Sequence, residues 1–153
     1  MIFEVQQNSD TTYRVFDWNR LDAAGRPRQL HLAESLASID FADFEPSLLP
    51  AATSPGHPGT IRPLVKDPLF QVSLRRLQAG DALALGSGRM RILGVVEGAL
   101  RVKAGGESTA LAAGGFCLAP AGCATCSVEP LARLRPAVAE PEGGAAFLQV
   151  ELG

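Results

Sequence analysis

Residues Met90–Pro130 read "MRILGVVEGALRVKAGGESTALAAGGFCLAPAGCATCSVEP". The stretch breaks into short segments rich in Val, Leu, Ile or Phe: "MRILGVVEG", "ALRVKA", "STALAAG", "FCLAPAG" and "TCSVEP". Turn-forming residues such as "AGGE" divide them, which is the pattern of strands joined by tight turns. The same texture extends outward. Upstream, "LFQVSLRRLQ" is closed by "AGD" and followed by "GSG"; downstream, "EGG" leads into "AAFLQVEL". Many short strands at even turn spacing predict an all-β antiparallel sandwich or barrel from Leu64 to the end.

The whole chain has 153 residues, 46% of them apolar and 20% charged, with a net charge of −2. A domain of this size buries about 68–70% of its unfolded surface, enough for a core without staples. With a pI near 5.7 there is no basic footprint, which excludes nucleic acid as a partner class. No basic-plus-apolar leader opens the sequence and no apolar run reaches the length of a membrane span, so the expectation is a cytoplasmic protein without a membrane partner. The three cysteines, Cys117, Cys123 and Cys126, include one C-x-x-C. A closed zinc site needs four ligands, and His31 and His57 lie far along the chain, so these thiols read as structural.

Before the strands come two other regions. Residues 1–44 form an N-terminal arm: "IFEVQQ" and "TYRVFDW" read as strands around the turn-forming "NSD", and "LHLAESLASIDF" as one short helix. Residues 45–63 carry prolines at 46, 50, 55, 58 and 63, a density that predicts an extended connector with no regular element. Residues 64–153 are then the β-barrel.

Within that barrel, "VVEG" (Val95–Gly98) and "GGFCLAPAG" (Gly114–Gly122) resemble the two motifs of the cupin family, which implies a cupin-type jelly roll. Metal-binding cupins bring two histidines and a glutamate from the first motif and a histidine from the second. Carried onto this sequence, the glutamate position falls on Arg91, the histidine positions within Ala84–Ser87, and the last on Thr125. None is a ligand and Arg91 repels a cation, so the expectation is a barrel without metal.

The arm carries a more specific resemblance. "FEVQQNSDTTYRVFDWNRLDAAGRPRQLHLAESLASIDF" resembles the segment that follows the active site in class I mannose-6-phosphate isomerases. The later stretches "LVKDPLFQVSLRRLQAG", "VVEG" and "LAPAGC" resemble that family's C-terminal cupin half. The resemblance implies interconversion of mannose 6-phosphate and fructose 6-phosphate. It also implies zinc held in a preceding cupin half, whose ligands would all lie before Met1. Arg14 matches the family arginine that points into the active site, and is the catalytic residue carried over. Asn8 and Asp10 are candidate substrate contacts, although with Ser9 their side chains equally suit a local turn.

Aldose–ketose isomerisation moves a proton between C1 and C2 through an enediolate, which needs a base and positive charge at the developing oxyanion. Arg14 offers that charge, but with no metal cofactor in this chain half of the apparatus is missing. Three functional readings follow. The chain is an isomerase-related cupin inactive alone, a metal-free sugar-binding or regulatory cupin, or a subunit that completes an isomerase with a separate zinc-binding protein. Unpaired strand edges in the arm predict a homodimer formed through it. His31 reads as a structural histidine. Arg75, Arg76, Arg89 and Arg91 read as solvated strand-edge cations, with a sugar phosphate as their alternative partner.

Overall fold

The computed structural model describes residues 2–6, 11–43, 45, 47–131 and 143–152. The chain forms two compact units, residues 2–48 and residues 49 to the end.

The second unit is a sandwich of two antiparallel sheets. Its strands are β1 (Ser54–Pro55), β2 (Thr60–Lys66), β3 (Phe70–Leu77), β4 (Leu83–Leu85), β5 (Arg91–Glu97), β6 (Ala99–Ala104), β7 (Glu107–Ala112), β8 (Phe116–Ala119), β9 (Cys126–Pro130) and β10 (Ala145–Leu152). One sheet has six strands in the order β1-β2-β3-β10-β5-β8, and the other has four in the order β4-β9-β6-β7. Alternation along each strand decides which side chains enter the space between them. On β6, Leu100 is buried while Arg101 and Lys103 point outward onto Glu129 of β9. Leu77, Leu93, Val95, Ala119 and Phe147 from the larger sheet meet Leu83, Leu85, Leu100, Cys126 and Val128 from the smaller.

Sequence and structure agree closely for β3 and for β5 to β10. Three strands went unread, β1, β2 and β4. β4 has only three residues, Leu83–Leu85, too few to show a period, and exists because it pairs with Cys126–Val128 of β9. β2 begins inside the stretch expected to be an irregular connector. Its Pro63 is accommodated at a register shift between Pro63 and Val65, and its neighbour β1 spans only two residues, so the missing proline N–H breaks little of the ladder. The glycine of "VVEG" is required by geometry. Gly98 links β5 to β6 at φ +74, and a Cβ there would stand 2.5 Å from the Gly144 carbonyl oxygen.

The first unit departs from expectation. Residues 2–6 and 11–18 form no strand, and the described residues of the unit hold one helix, α1 (Leu32–Ser38), with a single bridge between Leu21 and Pro27. The reason lies in the backbone of Arg14: its N–H donates to His31 Nδ1 at 3.1 Å and its carbonyl accepts from the His31 N–H at 2.8 Å. The groups a ladder would use are already taken. Beyond it the chain turns at Trp18 and Asn19, both at positive φ (48 and 55), which ends any extended run.

Phe147 is wholly buried at the centre of the core. Phe147→Ala is expected to cost about 3–5 kcal/mol of stability in denaturant unfolding. Leu118→Ala, more than half exposed on β8, should cost less than about 1 kcal/mol.

Candidate functional site

Arg14 is held from several sides. Its Nη1 donates to the Gln29 carbonyl at 3.1 Å, and its Nε lies 3.5 Å from Asp17 Oδ1. Asp17 is also 3.4 Å from Arg28 Nε, so one carboxylate serves two guanidinium groups. The Arg14 side chain keeps 21% of its surface open. It is therefore oriented, partly accessible and incompletely neutralised, a state suited to contact an anion or a polarised oxygen. Asn8 and Asp10 lie outside the described residues, so the structure does not place them beside Arg14. His31 lies against Tyr13 with the rings tilted and their centroids 6.3 Å apart, in keeping with a structural role.

The positions that match cupin metal ligands are brought together but carry other chemistry. Arg91 Nε pairs with Glu151 Oε1 at 2.6 Å, and its Nη1 donates to the Gly86 carbonyl within the Ala84–Ser87 segment. Thr125 stays exposed at the entry to β9. Among the described residues no group of three His, Cys, Asp or Glu side chains converges. The residues present thus do not fit a transition metal: a guanidinium occupies the glutamate position, and the segment aligned with the histidines, Ala84–Ser87, carries no imidazole and offers Arg91 its Gly86 carbonyl.

The three cysteines are free thiols packed against the core. Burial raises the pKa of Cys117, helped by nearby Cys126. Burial likewise raises that of Cys126, helped by Cys123, which lies within hydrogen-bond reach. Thiols held protonated are poor nucleophiles and poor metal ligands.

A polar surface lies elsewhere on the larger sheet, on the same inward face as Phe147. Along β10, Phe147, Gln149 and Glu151 point inward; on β3 their register partners are Arg75, Ser73 and Gln71. This face is apolar at the Leu77 end and becomes polar toward Glu151. There it forms a cleft of about 310 Å³ between β2, β3 and β10, with Ile61, Ser73, Arg75, Gln149 and Glu151 in its walls. Burial lowers the Arg75 pKa, Glu151 opposes this, and Arg91 adds to it. Of the four arginines expected at strand edges, Arg89 is exposed and Arg76 faces outward onto Glu97 at 2.9 Å, whereas Arg75 and Arg91 turn inward. Gln149 and Glu151 were missed in the sequence. The available signal was polar residues at every second position after Phe147, on the face that should have been apolar.

The sandwich has the cupin fold. It superposes on the Schizosaccharomyces pombe Cnp3 cupin domain with a TM-score of 0.50 at 12% identity, covering 61% of this chain and 63% of that one. A mannose-6-phosphate isomerase from Bacillus subtilis superposes at a TM-score of 0.65 and 23% identity, over 94% of this chain and 41% of that one. In sequence, the Streptococcus mutans mannose-6-phosphate isomerase is 33% identical over 123 residues, 78% of this chain and 37% of that protein. Bacillus subtilis ManA, also a mannose-6-phosphate isomerase, is 52% identical over 40 residues, 26% of this chain and 13% of that protein. No family model matches the chain. The chain belongs to the cupins related to mannose-6-phosphate isomerase, and it spans well under half the length of these relatives.

The raised thiol values carry a sign. A group protonated more tightly in the folded state contributes stability that is complete below its ordinary value, 9.0 for these thiols, and lost as pH climbs through the raised value. The melting temperature should therefore fall as pH rises above about 9. Titration with a thiol reagent at pH 7 should find Cys126 reacting only under denaturant.

Proposed function

We propose that this chain is the cupin and arginine-bearing part of a mannose 6-phosphate/fructose 6-phosphate isomerase and does not turn over substrate alone. The observation that carries this reading is the 33% identity over 123 residues to the Streptococcus mutans enzyme, of which the chain matches only 37%. In such a reaction Arg14 binds an oxygen of the sugar and stabilises the negative charge that develops as the proton leaves carbon. Its anchors on Gln29 and Asp17 fix where that charge is met. The described residues offer no ligand set for a metal, and no step is assigned through one; the rest of the site comes from a separate zinc-binding protein or from sequence outside these 153 residues.

Exposed apolar side chains in the first unit support assembly. Trp18 is 71% exposed, Phe41 67% and Leu36 60%, a large apolar surface for a lone chain. The isolated protein pairs with a second copy through residues 2–48, and light scattering at micromolar concentration should give the dimer mass. A second reading, a metal-free cupin that binds a sugar ligand in its barrel, is supported by the polar cleft on the larger sheet.

The test is a coupled isomerase assay on the purified chain with mannose 6-phosphate and added zinc, with metal content measured on the same sample. No turnover and substoichiometric metal are expected. Zinc-dependent turnover that is lost in Arg14→Ala would overturn the inactivity and place a complete site within copies of this chain.

A further inference from the structure

The polar end of the inward face holds more hydrogen-bonding capacity than the protein uses. Gln149 is only 6% exposed, and its Nε2 donates to Glu151 Oε1 at 2.9 Å. A carboxylate accepts only, so this bond fixes which way the amide points and leaves Oε1 as the free acceptor. Oε1 is buried and finds no hydrogen-bond partner among the described residues. Arg75 Nε is buried and unpartnered in the same way. Both residues line the same cleft, and buried polar atoms are paired in the great majority of folded proteins.

The charges are unbalanced as well. Glu151 is engaged by Arg91 at 2.6 Å and approached by Arg89 at 3.8 Å. Among the described residues Arg75 Nε has no hydrogen-bond partner and Glu151 acts on the guanidinium only through its charge, while Lys66 adds a further cation to the lining. A guanidinium of this kind favours a charged oxygen acceptor, which it can grip through two parallel N–H groups. Gln149 Oε1 calls for the opposite partner, a donor such as a hydroxyl. A cleft of about 310 Å³ sits at the small end of ligand pockets and suits a molecule of a few carbons.

We propose that the cleft between β2, β3 and β10 binds a small anionic polyol, a sugar phosphate or a sugar acid, with Arg75 holding the anionic group and Gln149 Oε1 accepting a hydroxyl. This rests on the reading of the barrel as a sugar-binding cupin and adds the charge of the ligand and the residues that select it. Neutral sugar satisfies Gln149 and leaves Arg75 bare; inorganic phosphate does the reverse.

Isothermal titration calorimetry on the full chain tests this, with mannose 6-phosphate, gluconate, mannose and inorganic phosphate as probes. One or both of mannose 6-phosphate and gluconate should bind about tenfold or more tightly than mannose and phosphate, and which one does so separates the two sources of charge. Arg75→Met and Gln149→Leu should each weaken that binding about tenfold, with melting temperatures no lower than that of the starting protein. Arg75→Lys, which keeps the charge but not the fork, should fall between. Arg76→Met, on the outer face of the same strand, should bind unchanged. Equal losses in the Arg75 and Arg76 variants, or binding untouched by Arg75→Met and Arg75→Lys, would overturn the site. Mannose binding as tightly as its phosphate would overturn the anionic class while leaving a sugar-binding barrel. Binding of none of the four would overturn both, leaving a cleft that holds only solvent.

Discussion

The placement of β10 between β3 and β5 is the constraint on which the second unit depends. Its eight residues pair with Phe70–Leu77 on one side and six of them, Ala146–Glu151, with Arg91–Glu97 on the other, so β10 closes the middle of the larger sheet. Without it, two strands distant in sequence would each present an open edge, and the core would lose Phe147. Pairing of this kind is wholly non-local, since the loop entropy must be met before the contacts form. Beyond the register shift between Ala146 and Phe147 the pairing with both neighbours runs unbroken, so Phe147, Gln149 and Glu151 share the inward face.

That alternation joins stability to function. One strand face supplies the central core side chain at position 147 and then two polar walls of a cleft at 149 and 151. Where a metal-binding cupin gathers imidazoles and a carboxylate, this barrel places Arg91 against Glu151 and the Gly86 carbonyl. A half-buried ion pair contributes little net stability against a well-packed apolar alternative, but it fixes the charge pattern of the cavity around it. Arg91 is thereby paired and Arg75 is the guanidinium left facing the cleft, in a chain whose other cationic candidate, Arg14, sits on a separate unit with its own anchors.

The strands from β5 to β10 were legible because each is a short apolar run bounded by turn residues, and such runs have few other solutions. β4 and β2 were not. One is too short to show a period, and the other carries a proline whose harm depends on having a neighbour to lose. The arm misled for a different reason: "TYRVFDW" alternates as a strand should, yet His31, brought close by the fold, takes both backbone groups of Arg14. Arg14 was singled out by its motif, while the cleft was not legible, because the four arginines look alike in sequence.

The sequence by itself determined the class of fold, the membership in a family and the absence of ligands at the expected metal positions, since all three are properties of residue type and spacing. Only the tertiary structure decided which arginines face the cavity and which acceptors there lack a partner among the described residues. Orientation follows from register, and register is set by which distant strand arrives beside which. Arg75 and Arg76 are adjacent in the chain, but a period of two turns one into the cleft and the other out onto Glu97.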